Sequence, residues 1–388
     1  MSENSFTEVT HQSWFSRIGN SIKGILVGVV LFVAAFPLLF WNEGRAVRRY
    51  KALKEGSAVV ISAPCDKLNP ENNSKLVHMS GTATTEETLS DPIFNVSDKA
   101  IKLKRHVEMY QWKESSKSKT EKKLGGGTET VTTYEYTKTW DDDVISSSGF
   151  KKPEGHDNPA GMPFESETIN ASDVKLGAYQ LSPGLIDMIS EFTNLDVSGV
   201  PKLKANVDKT VHVVNGGYYI GNNPTQPEIG DLKVSFKVVK PLQISIVSEQ
   251  INDTFQPYQT QAGDGTIQLL QTGEVSAQAM FQTAQKQNVF MTWVIRVVGF
   301  IMMYLGISLI FKPLSVLADV LPLLGTIAET GIGLIAFLFA SVFSLLTISI
   351  AWIIYRPLVG IVLLLATGGA VYGIKTVLKK KPKPAVGG

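Results

Sequence analysis

The sequence predicts an integral membrane protein with four transmembrane α-helices and a large β-rich α+β extramembrane domain. Two observations support this fold class. Apolar residues are concentrated in one run near the N-terminus and in three runs in the C-terminal third of the 388-residue chain. The segment between them, residues 42–288, contains short β-branched and aromatic stretches bounded by Gly, Pro or Asn. The formal net charge of +2 is too small to indicate a nucleic-acid partner.

The first predicted span is residues 24–41, GILVGVVLFVAAFPLLFW, which contains no charged residue. At about 1.5 Å per residue, a helix of this length nearly crosses the hydrocarbon core. A signal peptide is the alternative. The apolar run is longer than a usual signal core, and NEGRAVRR follows it instead of a small-residue cleavage site, so we favour a membrane span. Residues 1–23 are then a cytoplasmic N-terminal tail.

Three further runs are long enough to cross a membrane, at residues 289–311, 331–355 and 357–378. The apolar run within residues 312–330 is too short to cross a membrane. We predict an interfacial helix or loop there, with Asp319 toward water. A basic cytoplasmic tail follows at 379–388. The even number of spans places both termini on one side and the domain on the other.

Within the domain, strands are predicted at residues 131–140, 179–182, 211–214, 218–220, 232–239 and 242–248. Asn215-Gly216 predicts a tight hairpin turn, because such a turn requires positive φ. Ser182-Pro183 favours the start of a short helix through residue 192. Residues 276–288 are rich in helix formers and predict a helix that continues into the second span.

The stretch IKLKRHVEMYQW, residues 101–112, alternates apolar and polar side chains and predicts a strand. The polar tract SSKSKTEKKLGGGT, residues 115–128, predicts a mobile tip that joins this strand to residues 131–140 as a hairpin. Gly125 to Gly127 do not form a phosphate cradle, since no Lys-Ser or Lys-Thr follows them. Across the hairpin, Tyr110 and Trp112 are expected to face the aromatic residues Tyr134, Tyr136 and Trp140.

A search for reactive chemistry gives no catalytic, cofactor or metal site. His106 and Glu108 lie on one face of the predicted strand, so the favoured interpretation is a solvated strand face, and the alternative is a metal site shared with His78. Cys65 is the single cysteine, which rules out an intrachain disulfide. The residues Asp141 to Asp143 are interpreted as an acidic turn, because a calcium loop needs more oxygen ligands at alternating spacing.

Five residues in the spans are candidate contact sites. The GxxxG spacing of small residues favours close helix packing at Gly24, Gly28, Gly369 and Gly373. Arg296 is an intramembrane charge in the second span, and we favour its extension to the headgroups over a pair with an acidic residue such as Glu329, which the topology puts near the opposite face.

Eight blocks of sequence carry a resemblance to a known family. They are IKLKRHVEMYQW (101–112), WNEGRA (41–46), LVHMSG (76–81), LSDP (89–92), GHDNP (155–159), LSPGLID (181–187), GDLKVSF (230–236) and YRPL (355–358). With four spans in corresponding places, they resemble the transmembrane protein 43 family, also called LUMA, from about residue 20 to 378. Departures fall in the tails, in residues 115–128 and in residues 193–210.

The resemblance implies a multi-pass protein of the endoplasmic reticulum and inner nuclear membrane, with a lumenal domain and lamin and emerin as partners in an animal. For a bacterial member it implies the cytoplasmic membrane with a periplasmic domain. The family has no catalytic residues to carry over. Lys and Arg near the span ends number eight inside and seven outside, so charge alone does not decide sidedness. Sequons at Asn72, Asn95, Asn170 and Asn252 fit a lumenal domain.

The expected function is therefore a multi-pass membrane scaffold or membrane-organising protein, not an enzyme. It would lie in the lipid bilayer, self-associate, and bind membrane or envelope proteins without a cofactor. The alternative is a lipid- or small-molecule-responsive membrane sensor or channel accessory. An apolar pocket near the membrane would favour the sensor, whereas a closed domain with a large exposed apolar patch would favour protein binding.

Overall fold

The structure, a computed structural model, describes residues 4–198, 209–262, 265–357 and 362, with backbone alone at 322–324. In these residues the α-helices are α1 (Trp14–Val59), α2 (Pro183–Met188), α3 (Ala277–Ala318) and α4 (Pro322–Tyr355). Short 3-10 helices lie at Pro70–Asn72 and Ser147–Gly149.

Three helices, α1, α3 and α4, are long and apolar enough to cross a membrane in the described part of the chain. They contain the predicted spans 24–41, 289–311 and 331–355. The fold class thus holds for three membrane helices and a β-rich domain. The fourth predicted span, 357–378, lies outside the described residues except for 357 and 362, as do Gly369, Gly373 and the tail 379–388.

Residues 312–330, predicted to be an interfacial helix or loop, form the end of one long helix, a turn and the start of the next. Helix α3 continues to Ala318, and α4 begins at Pro322 after a short turn. Pro313 lies inside α3 without ending it, although proline removes one backbone hydrogen-bond donor from the helix interior. Asp319 is buried instead of facing water, since it is only 1% exposed and pairs with Arg17.

The N-terminal segment 1–23 is also more ordered than a tail. Ser5–Gln12 form the first strand, and α1 begins ten residues before the predicted span, at Trp14. The Ser13 side chain accepts a hydrogen bond from the Ser16 amide and caps the helix.

The strands of the described residues are numbered here in chain order. They are β1 (Ser5–Gln12), β2 (Ile61–Ser62), β3 (Leu76–Thr84), β4 (Thr88–Ser90), β5 (Ser97–Lys99), β6 (Lys102–Lys122), β7 (Thr128–Asp141), β8 (Glu167–Asn170), β9 (Lys175–Leu176), β10 (Tyr179–Gln180), β11 (Thr193–Leu195), β12 (Val211–Val214), β13 (Gly217–Ile220), β14 (Leu232–Val239), β15 (Leu242–Ile251), β16 (Thr254–Gln256), β17 (Tyr258–Gln259), β18 (Thr266–Ile267) and β19 (Leu269–Thr272).

Two sheets pack face to face to form the domain. One has the order β1-β7-β6-β14-β13-β12, and the other has the order β10-β9-β3-β15-β16. Alternate residues of the central strands fill the core between them, including Val107 of β6, Phe236 of β14 and Ile246 of β15. The alternation predicted for residues 101–112 therefore describes a strand with one face in this core.

A second apolar cluster joins the domain to the membrane helices. Leu53 of α1 and Phe281 of α3 pack there with Leu76, Val247 and Ile267 of the sheets. Helices α1 and α3 are about 69 Å and 63 Å long at 1.5 Å per residue, so each runs without a break from the membrane into the domain.

Several local predictions are confirmed. Asn215 and Gly216 have φ of 52° and 76° and connect β12 to β13 as a tight hairpin. Helix α3 begins next to Ser276, as predicted, and continues into the span. The helix after Ser182 is shorter than predicted, since it ends at Met188.

The prediction of a mobile tip at 115–128 is wrong in extent. Strand β6 continues to Lys122 and pairs with β7 in one unbroken register, from Met109 opposite Asp141 to Lys122 opposite Thr128. The turn itself is confined to residues 123–127, where Gly125 and Gly126 have positive φ. Backbone pairing on β7 orders this polar sequence, which has no apolar face of its own.

Candidate functional site at the domain end of the membrane helices

A buried ion pair connects α1 and α3 where the predicted spans meet the domain. Glu43 lies on α1, two residues after the first apolar run, and is 2% exposed. Arg296 of α3 donates from Nε to Glu43 Oε1 at 2.7 Å and from Nη2 to Oε2 at 2.9 Å. This two-point geometry is the strongest that a guanidinium and a carboxylate form.

Tryptophan side chains complete the pair. The indole Nε1 of Trp352, on α4, donates to Glu43 Oε2 at 2.6 Å, so three helices meet at one carboxylate. The guanidinium of Arg296 also lies 4.8 Å from the ring centre of Trp293 and 5.5 Å from that of Trp352. Aromatic faces attract the cation and shield it from the hydrocarbon.

A second polar layer lies one turn closer to the domain. Arg45 donates to Asn288 Oδ1, Asn42 Oδ1 and Thr292 Oγ1, each at 3.2 Å. The amide of Asn42 donates to the Thr292 carbonyl, and the amide of Asn288 donates to the Ala46 carbonyl. These bonds pair most of the polar groups that α1 and α3 bury against each other, and Arg45 Nε is buried without a partner among the described residues.

Close helix contacts support the network on both sides. A Cβ at Gly44 would lie 2.6 Å from Tyr355 Cζ, so α4 reaches α1 because residue 44 has no side chain. Gly28 packs on Gly306, where an added Cβ would lie 2.7 Å from the Gly306 carbonyl oxygen. A Cβ added at Gly24 would lie 3.8 Å from Leu309 Cδ2. The structure therefore gives Gly24 and Gly28 partners within the chain.

The partner of Arg296 is Glu43 and not Glu329, so the suggested Glu329 pair is wrong. Glu329 lies at the other end of the bundle, where its carboxylate is 2.8 Å from Lys122 Nζ. Glu43 was missed because it falls outside the apolar run. Two features of the sequence indicate this partner: Asn, Glu and Arg follow residue 41 closely, and an unpaired Arg296 would be costly within the membrane.

The network is suited to holding helices together. The Glu43 carboxylate accepts three hydrogen bonds, two from Arg296 of α3 and one from Trp352 of α4. Two charges that are both desolvated require each other, and loss of one leaves the other uncompensated.

The domain residues considered for chemistry do not form a common site. His106 and Glu108 lie on β6 opposite Ser235 and Lys233 of β14, which confirms that they belong to a strand. His78 lies on β3 of the other sheet, where its Nε2 is 2.8 Å from the Val275 carbonyl oxygen. Among the described residues the potential metal ligands that cluster in threes are Asp141 to Asp143, which are exposed or half-buried.

Other polar side chains of the domain have structural partners. Asp231 is buried and accepts from Tyr219, from Lys209 and from the Glu228 amide. Burial alone would raise the pKa of Asp231, but these bonds outweigh it and hold the pKa below its usual value. Burial raises the pKa of the Cys65 thiol, which donates to the Ser80 carbonyl.

The predicted aromatic pairs across the hairpin are formed in part. Tyr110 and Trp140 have ring centres 5.0 Å apart. His156 separates Trp112 from Tyr136, because its ring stacks on Tyr136 at 3.9 Å and meets Trp112 edge-on at 4.7 Å. This cluster anchors the loop after β7 to the hairpin.

The chain is similar in sequence to known proteins over most of its length. A family model described as Transmembrane protein 43 matches residues 109–357. The chain is 36% identical to transmembrane protein 43 of Rattus norvegicus over 358 residues, which is 89% of this chain and 88% of the relative. The protein of the same name in Homo sapiens is 35% identical over equal shares. The Drosophila melanogaster homolog is 34% identical, covering 88% of this chain and 91% of the relative. No solved structure matches. The chain belongs to the transmembrane protein 43 family.

Proposed function

We propose that this chain is a non-catalytic multi-pass membrane scaffold that holds a β-rich domain at a fixed position on the membrane. The observation that carries the proposal is the Glu43 carboxylate, which binds Arg296 of α3 and Trp352 of α4. Since α1 and α3 continue unbroken into the domain, this contact fixes the domain relative to the bundle. A fixed domain is what a structural component needs to bind neighbours in a defined orientation.

The proposed partners are membrane and envelope proteins, of the lamin and emerin type in an animal cell, together with further copies of the chain. For a eukaryotic source we place the protein in the endoplasmic reticulum and inner nuclear membrane, and for a bacterial source in the cytoplasmic membrane. The domain is placed in the lumen or periplasm. The Gly28 contact with Gly306 is internal, so self-association requires a surface other than this glycine pair.

The scaffold is tested with the full chain purified in mild detergent as wild type, Glu43→Gln and Lys51→Gln. Lys51 is an exposed residue of the same helix, so its variant is the charge-loss control. We expect wild type and Lys51→Gln to retain the same envelope proteins in stoichiometric amounts, measured by quantitative mass spectrometry. Glu43→Gln should lose these proteins, although its β-rich domain should resist protease as well as the domain of wild type does. Retention of lipid but of no protein in all three samples contradicts the scaffold.

A second function, a lipid-responsive sensor, is favoured by one observation. An apolar groove of about 440 Å³ lies between α1 and α4, close to the Glu43 contact. Its lining includes Phe36, Pro37, Phe40, Phe343, Leu346 and Ile350. Leu346→Trp should fill the groove and remove a co-purifying lipid, whereas Leu345→Trp, at an exposed neighbouring position outside the groove lining, should not. Equal lipid content in the two variants would count against the sensor.

Sidedness is tested by glycosylation in a eukaryotic cell. Asn170 and Asn252 are the exposed sequon residues, whereas Asn72 is buried. We expect glycan on wild type and its loss in Asn170→Gln with Asn252→Gln. Cys65 is a poor labelling probe because its thiol is hydrogen-bonded and its pKa is raised. Absence of glycan, with maleimide labelling of a Val144→Cys variant from the cytoplasm, would reverse the topology, because Val144 is an exposed residue of the domain.

A further inference from the structure

Beyond the domain, three strands form a polar ribbon that we call the arm. It consists of β1, of residues 115–122 of β6 and of residues 128–135 of β7. Strand β1 pairs antiparallel with β7, and β7 pairs antiparallel with β6, each in one register without a bulge. The arm leaves the domain near Tyr110, whose amide donates to the Asp231 carbonyl.

The tip of the arm lies at the end of the bundle opposite the domain. The Gly125 amide donates to the Val320 carbonyl at 3.2 Å, and Lys122 Nζ lies 2.8 Å from Asp319 Oδ1. Arg17 binds both the Gly126 carbonyl and the Asp319 carboxylate. The tip therefore sits on the first turn of α1 and on the turn between α3 and α4.

The arm must consequently pass the whole depth of the apolar helices. Its contact on Arg17 lies beyond the N-terminal end of the apolar run 24–41, and its root lies in the domain beyond the other end. Residues 115–122 extend about 26 Å as a strand, and the apolar run is about 27 Å long as a helix. Because the arm's two ends are fixed at opposite ends of the apolar run, the two segments cover the same depth.

Neither face of the arm is suited to hydrocarbon. The face toward the bundle carries a ladder of hydroxyls, with Ser118 bonded to Thr132 and Thr120 bonded to Thr130, each at 2.9 Å. The opposite face carries charges at Lys117, Lys119, Glu121, Glu129 and Glu135. Residues 115–121 are all exposed. Charged side chains in mid-bilayer face protein or water, so the arm requires an aqueous surrounding.

A polar cavity already separates the arm from the helices. Its volume is about 510 Å³, and its walls include Asn20 and Ser21 of α1 with Thr120 and Thr130 of the arm. The helices expose large apolar side chains elsewhere, such as Val30 at 60% and Val33 at 57%. The bundle therefore has a dry surface for lipid and a wet surface at the arm.

The two outer edges of the arm have open backbone groups. The Tyr110 and Trp112 amides point away from β7, to Asp231 and Asn158, so by alternation Ser116, Ser118 and Thr120 also point away. On β1, the Tyr136 amide bonds the Asn4 carbonyl, so even residues of β1 face β7.

The odd residues Thr7, Val9 and His11 therefore direct their backbone groups outward from β1. No backbone partner for these groups, or for those of Ser116, Ser118 and Thr120, lies within the part of the chain that the structure describes. Open sheet edges are not stable in hydrocarbon, because lipid cannot satisfy the donors and acceptors.

We propose that the arm edges pair between copies of this chain, with β6 of one copy beside β1 of the next, closing a polar-walled, water-filled passage across the membrane. A second copy is the occupant because the chain carries both edges at one level: Val9 lies opposite Val131, and Val131 lies opposite Lys119. Strands β1 and β6 are both antiparallel to β7, so the new contact is parallel and head-to-tail, which closes into a ring.

The charged face of each arm then lines the passage. It carries charges of both signs, Lys117 and Lys119 with Glu121, Glu129 and Glu135, and the passage accepts water and small ions. The proposal does not depend on the scaffold role, since partner retention and arm pairing have separate readouts.

The pairing is tested by disulfide crosslinking of the full chain in native membranes, with Cys65→Ser as background. Thr7→Cys is combined in turn with Ser115→Cys, Lys117→Cys and Lys119→Cys, and copper phenanthroline supplies the oxidant. We expect one double variant to give a ladder of oligomers and every single variant to remain monomeric, as a head-to-tail contact requires. Val9→Cys with Val131→Cys, a pair within one arm, is the positive control for oxidation.

The water-filled passage is tested with a charged, impermeant methanethiosulfonate in the same membranes. Lys117→Cys should react about a hundredfold faster than Val30→Cys, a lipid-facing residue at the same depth, because a charged reagent and a thiolate are both excluded from hydrocarbon. Oxidation of the control pair with no ladder from any double variant overturns the proposal. A ladder from a single variant, or equal reaction at the two positions, also overturns it.

Discussion

The two halves of β6 lie in different surroundings although they are one strand. Residues 102–112 alternate between the domain core and its surface, with Leu103, Val107 and Met109 each about 1% exposed. Residues 113–121 carry no apolar side chain and are nearly all exposed. The first half is held by burial, and the second half is held by backbone pairing and by contacts at its tip. A strand can therefore be ordered by its neighbouring strands and by contacts at its tip, without burying an apolar face of its own.

The largest effect is expected from the core of the first half. Arg105 is 3% exposed, and it binds the buried Asp91 and, at 3.0 Å, Glu167. Arg105→Ala leaves Asp91 as an uncompensated buried charge and should lower the free energy of unfolding by about 3–5 kcal/mol. Thermal unfolding of the detergent-solubilised chain measures it, and Lys117→Ala in the second half is the matched control. Equal losses in the two variants would erase the contrast between the halves.

The next effect concerns the junction at Asp231. Because its pKa is lowered on folding, Asp231 stabilises the domain above its unfolded pKa of about 3.9, and this stabilisation is lost as the pH falls through the folded pKa. Asp231→Asn should cost about 1–3 kcal/mol at pH 7 and reduce the loss of stability on acidification. Unfolding measured from pH 7 to pH 3 compares the two proteins. Parallel curves would show that Asp231 does not contribute to the pH dependence.

A smaller effect is expected at the tip of the arm, where two glycine variants distinguish the contact with Trp14 from the backbone conformation of the turn. Gly125 and Gly126 both have positive φ, but a Cβ at Gly125 has open space, whereas one at Gly126 would lie 2.3 Å from Trp14 Cδ1. Gly125→Ala should cost only the backbone strain of about 1–2 kcal/mol, and Gly126→Ala should also displace the tip. Tryptic cleavage after Lys123 should be about tenfold faster in Gly126→Ala than in Gly125→Ala. Equal cleavage would mean that Trp14 does not hold the tip.

The smallest effect is expected on the outer face of the first half. His106 and Glu108 are half-buried on β6, and their exchange for Gln should change the free energy of unfolding by about 0.5 kcal/mol or less. Zinc content and thermal unfolding of the double variant are the measurements. Stoichiometric zinc in wild type that is lost in the double variant would restore the metal-site hypothesis.

The sequence alone determined the membrane helices of the described chain, the strand at 101–112, the Asn215-Gly216 turn and the family resemblance. Each of these depends on a local pattern: an apolar run, an alternation of period two, or a residue that accepts positive φ. The family resemblance depended on eight short sequence blocks that occur in the same order as in the family. These signals are carried by neighbouring residues and need no knowledge of tertiary contacts.

Only the tertiary structure decided which charged residues pair with each other. Glu43 and Arg296 are separated by 253 positions, and Lys122 and Asp319 meet although one belongs to a hairpin and the other to a helix turn. The tract 115–128 has the composition of a mobile loop, and pairing with β7 and β1 makes most of it strand. Composition measures how much apolar surface a segment can bury. It does not measure the backbone hydrogen bonds and distant ion pairs that partners elsewhere in the chain provide, and these order the arm and fix the bundle.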